Sequence, residues 1–185
     1  MPPAARGTLP AMTPRLRKLT LTTHVAISVG WLGAVLAYLA LAITAVASGS
    51  PELQRAAFVS MEVIGWYVIV SCAFGALLTG LVQSLGTPWG LFRHHWVLTK
   101  FVLTTLATIV LVKHMPLVSR MAEHARSGTA DPGHVRIQLL VHAAGGLAVL
   151  VAVTVLSIYK PWGRTAYGRR KQAAAGADDQ PGAGA

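Results

Sequence analysis

Residues 96–112 read WVLTKFVLTTLATIVLV, a run of apolar and small residues broken by a single charge at Lys100. A helix crosses the roughly 30 Å of bilayer hydrocarbon with about 20 residues of this kind. Three further blocks of the same character lie at 21–47, 61–83 and 137–159. Of the 185 residues, 54% are hydrophobic and only 12% are charged, where a soluble domain has about 25% charged. The spacing predicts an all-α integral membrane protein, a single four-helix bundle in contact with the lipid bilayer.

The ends of the chain read differently. Residues 1–15 are rich in Pro, Ala and Gly and are expected to be disordered, ahead of a four-span domain over 16–163. The segment 164–185 begins basic and closes on KQAAAGADDQPGAGA, which has no aromatic or β-branched residue to bury. Arg15, Arg17 and Lys18 precede the first block, and AVAS at 45–48 imitates a cleavage site. The apolar stretch nevertheless runs about 25 residues, where a signal peptide uses about 7–15. It reads as a retained span.

Ser50-Pro51 is a cap followed by a first-turn proline, so the second helix is expected to start at the interface. The stretch LGTPWG (85–90) predicts a tight turn into helix three. Pro116 is expected to bend or stop that helix, leaving 117–126 as a short interfacial helix ended by Gly128. DPGH (131–134) reads as the turn before helix four, which exits at YKPWG. Gly30, Gly33, Gly75, Gly80 and the AAGG of 143–146 are expected to let helices approach closely. Trp89, Trp96, Tyr159 and Trp162 fall where an aromatic belt belongs.

The net charge of +10 does not suggest nucleic acid, because the basic residues flank the apolar blocks. Lipid contact and topology account for them better. Arg6, Arg15, Arg17, Lys18, Arg93, Lys100, Lys160, Arg164, Arg169, Arg170 and Lys171 fall on one side; Arg55, Lys113, Arg120, Arg126 and Arg136 fall on the other. That bias places both termini in the cytoplasm. Cys72 is the only cysteine, which excludes an intramolecular disulfide and a cysteine-based metal cluster. There is no phosphate-binding glycine loop, no nucleophile paired with a base, and no soluble domain to host chemistry.

Ionisable residues at membrane depth are the candidates for function. His24 near the start of helix one and Lys100 early in helix three enter from the same side and fall at similar depth. Lys100 either snorkels to the interface or is held inside. An inward imidazole is a usual axial ligand of haem iron, and Lys100 is then either a second ligand or a partner for a propionate. At the opposite level Glu62, His114 and His142 form a second candidate set. Two imidazoles and a carboxylate suit copper, iron or zinc. His94 and His95 read as interfacial, and His124 and His134 as loop residues.

Three pieces carry a family resemblance. HVAISVGWLG places His24 seven residues before Trp31; WVLTK places Lys100 four residues after Trp96; and Leu139-Leu140 opens a helix that leaves at YKPWG. Together they resemble the four-helix membrane superfamily of HemJ-type protoporphyrinogen oxidases and CopD-like copper-resistance proteins, closest to an uncharacterised bacterial branch. The resemblance implies a bacterial cytoplasmic (inner) membrane location. It also implies a bound b-type haem with functional roles for His24 and Lys100, Lys100 being the catalytic candidate. The chain departs from the HemJ-type pattern in having KHM with a single His114 where that pattern has His-His. It also has LLVHAAGG where that pattern has Asn-Glu early in helix four. The expectation is therefore a haem-binding or redox-active protein, a HemJ-like membrane oxidoreductase acting on a porphyrin or quinone-type small molecule. The alternative is a non-enzymatic copper-type metal handler or a structural member of a homo-oligomer or membrane complex.

Overall fold

The computed structural model describes residues 13–86, 94–128, 133–159, 165 and 169–170. The expected turns at 87–90 and 131–132, the exit at 160–163, residues 1–12 and the tail beyond 170 lie outside the described residues. Among those described, four helices are long and apolar enough to cross a membrane: α1 (Pro14–Ala47), α2 (Pro51–Gly86), α3 (His95–Ser127) and α4 (Gly133–Tyr159). They contain 34, 36, 33 and 27 residues. At 1.5 Å per residue each exceeds the roughly 30 Å of hydrocarbon, so their ends project into the interface.

The helix starts follow from local chemistry. Thr13 Oγ accepts from the Leu16 N–H ahead of Pro14, and Ser50 Oγ accepts from the Leu53 N–H ahead of Pro51. In both cases a hydroxyl satisfies a first-turn N–H and the proline occupies a position that needs no donor. Helix α3 ends at Gly128, whose φ of 71° is left-handed and natural only for glycine. The Arg55 guanidinium lies against Gly128, a cation at the negative end of the helix.

Close backbone approaches join α1 to α2 and α4, and α3 to α2 and α4. Among the described residues none joins the diagonal pairs. The helices thus form a square, and large side chains fill its centre. Met61, Met115, Leu139 and Val118 are the largest fully buried ones, with Trp31, Tyr38 and Phe58 beside them. The outer faces carry exposed Leu19, Val29, Leu36, Leu78, Leu106, Val141 and Ile158. Bilayer hydrocarbon covers such a surface without cost, whereas water would not.

Two local expectations are revised, and one feature is added. Helix α3 runs unbroken through Pro116, so 117–126 is its last part and not a separate helix. Met115 and, beyond the proline, Val118, Met121 and Ala122 are buried; packing on both sides of Pro116 outweighs one lost backbone bond. Helix α2 contains a π-helical stretch at Ile64–Val70. The residues buried there, Met61, Gly65, Ile69 and Ala73, recur every four positions. In a regular α-helix each such step turns the side chain about 40° off the face. The wider π-helical turns keep them on one face. Finally, a Cβ at Gly30, Gly33, Gly145 or Gly146 would meet nothing within 4 Å, so these glycines seat no neighbouring helix. The close approaches occur at Gly65, Gly75 and Gly80, where a Cβ would lie 2.7 Å from Met115 Cε, 3.2 Å from Ile27 Cδ1 and 3.3 Å from His24 Cε1.

Candidate functional site

The level of His24 and Lys100 brings together helices α1, α2 and α3. His24 is half-buried, and its Nδ1 lies 2.8 Å from Thr79 Oγ1 on α2. Thr79 Oγ1 in turn lies 2.7 Å from the Gly75 carbonyl oxygen. A carbonyl only accepts, so the Thr79 hydroxyl proton goes to Gly75 and His24 must donate its Nδ1–H to Thr79. In the neutral ring the lone pair is then on Nε2. Histidines that ligate a metal are commonly fixed in this way, by a hydrogen bond from the ring nitrogen facing away from it. The ring rests on Gly80, where a side chain would crowd it. Gln83 Nε2 donates to the Thr20 carbonyl at 2.9 Å, adding a second polar tie between α1 and α2. Lys100 is half-buried on α3, close enough to His24 for the two to interact electrostatically across the bundle.

The donor types at this level are those that could hold a haem: an imidazole whose Nδ1–H is tied to Thr79, leaving the Nε2 lone pair, and an amine that would ligate iron when uncharged or pair with a propionate as an ammonium. His94 and His95 stand at the start of α3, His94 outside its first turn with its carbonyl accepting from Leu98 N–H at 3.3 Å.

The set Glu62, His114 and His142 is only partly assembled. His114 and His142 stack with ring centroids 4.1 Å apart and planes inclined by 14°. His142 donates Nδ1–H to the Gln138 carbonyl at 2.8 Å, which leaves its Nε2 with the lone pair. His114 Nε2 is buried and has no hydrogen-bond partner. Glu62 is elsewhere, paired with Arg126 near the end of α3, and Arg126 also reaches Glu123 at 3.5 Å. Ring lone pairs lie in the ring plane, so two near-parallel rings do not aim at one ion. Among the described residues no group of three or more His, Cys, Asp or Glu is placed to hold a metal ion.

A half-open cavity of about 390 Å³ adjoins this pair, walled by α1, α3 and α4 with Ile69 of α2 at its edge. Trp31, Tyr38, His114, His142, Gly145 and Gly146 contribute to its wall. Thr79 and Tyr38 are the residues that reasoning from ionisable groups missed. Both are polar side chains well inside an apolar block, a signal that a search for all polar groups at depth would have caught.

Fold and composition together define a multi-pass membrane protein with four candidate spans and polar groups held between them. No family model matches the chain, and no curated protein or solved structure does.

Proposed function

We propose that this is a haem-binding, redox-active protein of the bacterial cytoplasmic membrane, with both termini inside and His24 as an axial ligand of a b-type haem. The observation that carries this reading is the His24–Thr79–Gly75 relay, which leaves Nε2 of an intramembrane imidazole with its lone pair. Lys100 serves as second ligand or as propionate partner. The haem would supply reversible one-electron chemistry, and the protein would supply the ligand, its orientation and the exclusion of water. A porphyrinogen-oxidising activity of the HemJ type is the reaction to assay first. Four candidate spans, an even number, and the excess of Lys and Arg on the terminal side support the reading of both termini as cytoplasmic.

The test is a haemin titration of protein prepared without haem. Wild type is expected to bind one haem with a sharp Soret band. His24→Ala is expected to lose that band while still inserting into the membrane. Lys100→Ala separates the two lysine roles: loss of a ligand shifts the ferric spectrum toward high spin, whereas loss of a propionate partner weakens binding without that shift. Equal titration curves for wild type and His24→Ala would overturn the proposal.

A further inference from the structure

We propose that the seam between α3 and α4 binds an anionic phospholipid, with its phosphate against Lys113 and Gln138 and one acyl chain in the apolar hollow beside Gly145 and Gly146. The site shares no residue with the level of His24, Thr79 and Lys100, so it stands or falls independently of the haem reading.

Three observations carry it. First, two hollows meet along this seam. The smaller, about 250 Å³, is lined by Lys113 and Gln138. The larger, about 390 Å³, shares Val110, His114 and His142 with it and continues toward Leu103 and Leu150. Tyr38 and His114 border the larger hollow but keep the phenol oxygen and Nε2 shut away from it, so its wall is almost wholly apolar. Second, the length of the seam matches one leaflet. Ten residues separate Leu103 from Lys113, about 15 Å at 1.5 Å per residue. That is half of the roughly 30 Å of bilayer hydrocarbon, and Lys113 stands just past the apolar block 96–112. Third, the space is made by glycine. A Cβ at Gly145 or Gly146 would touch nothing within 4 Å. Glycine is a poor helix former, and in a membrane bundle it usually permits a second helix to approach. Among the described residues no helix takes that place.

The head chemistry follows from charge. Lys113 and Gln138 are both exposed, and their side chains carry N–H donors for phosphate oxygens. Among the described residues no acidic side chain lines either hollow, and Glu62 is engaged by Arg126. A head with net negative charge, such as that of phosphatidylglycerol, therefore meets a cation and no opposing carboxylate. The ammonium of a zwitterionic head finds no acidic partner there. Leu106, Val110 and Val141 line the apolar hollow and are themselves exposed on the outer surface of the bundle. One acyl chain thus enters sideways from the bilayer, and the second stays in it.

The experiment is native mass spectrometry of the full chain, delipidated in detergent and titrated with phosphatidylglycerol or phosphatidylcholine of identical chains. Wild type is expected to bind one phosphatidylglycerol saturably and about 5-fold more tightly than phosphatidylcholine, the effect of one basic residue at a membrane surface. Lys113→Gln should remove that preference and leave phosphatidylcholine binding unchanged. Gly146→Leu should abolish saturable binding of both lipids while circular dichroism and size exclusion remain those of the wild type. If that variant misfolds, a chain-free probe takes its place: glycerophosphoglycerol, the same head without chains, should fail to compete for the wild-type protein. Equal affinity of wild type for the two lipids would overturn the proposal, as would a preference that survives Lys113→Gln. So would saturable phosphatidylglycerol binding by a folded Gly146→Leu variant, or competition by the chain-free head. A wild-type dimer that Gly146→Leu converts to monomer would also overturn it, by making a second copy the occupant.

Discussion

The His24–Thr79 contact joins α1 to α2 through half-buried side chains, and its removal has a calculable consequence. Thr79→Val preserves shape and β-branching but removes the oxygen that accepts from His24 Nδ1–H at 2.8 Å. Interhelical hydrogen bonds in membrane bundles average about 0.6 kcal/mol and reach about 1.7 kcal/mol in double-mutant cycles. This one joins half-buried partners, and its acceptor is polarised by its own bond to Gly75 at 2.7 Å. A coupling of about 1 kcal/mol is therefore expected from the cycle of Thr79→Val, His24→Phe and the double variant. The assay is reversible unfolding in mixed SDS–detergent micelles followed by circular dichroism. Thr79→Ser, which retains the hydroxyl, should stay close to wild type. A coupling below about 0.3 kcal/mol, or a Ser variant as weak as the Val variant, would refute the assignment of His24 Nδ1–H as a donor and with it the Nε2 lone pair.

Met115→Ala should destabilise the protein by about 2–5 kcal/mol, because Met115 is 1% exposed and fills the bundle centre. Gly65→Ala should be harmful alone, since its Cβ would meet the Met115 methyl at 2.7 Å, and nearly harmless in the Met115→Ala background; strict additivity in the same unfolding assay would contradict the close approach. Elemental analysis of purified protein should find no stoichiometric copper or zinc, because Glu62 is engaged by Arg126 and the imidazole planes are parallel. Bound metal that disappears in His142→Ala would refute that. A green fluorescent protein fused to the C-terminus should be fluorescent and an alkaline phosphatase fusion inactive; the reverse would place the termini outside.

The four spans were legible because each apolar block alone matches the membrane thickness, and the caps at Ser50-Pro51 and Gly128 mark helix ends directly. Other features depend on tertiary packing that no local pattern encodes. Pro116 reads as a break because sequence registers one lost hydrogen bond but not Met115, Val118 and Met121 anchoring the helix on both sides. With α3 ended at His114, Glu62 was expected to meet the imidazoles. The helix instead continues to Ser127 and brings Arg126 to Glu62. The glycines illustrate the same point in reverse. Gly65 drew no attention yet admits Met115, whereas Gly145 and Gly146 suggest helix contact and border a cavity. His24 and Lys100 were legible as ionisable residues within apolar blocks. Thr79 was not, because its role depends on which helix stands beside α1.

The most direct measurement is a dithionite-reduced minus oxidised visible spectrum of the detergent-purified wild type, expressed with ample haem supply, beside His24→Ala. A reduced b-type α-band in wild type that is missing from His24→Ala is the expected result. A colourless wild type, or a band that survives the loss of His24, would contradict the haem assignment and leave Lys100 as a lysine reaching for the membrane surface.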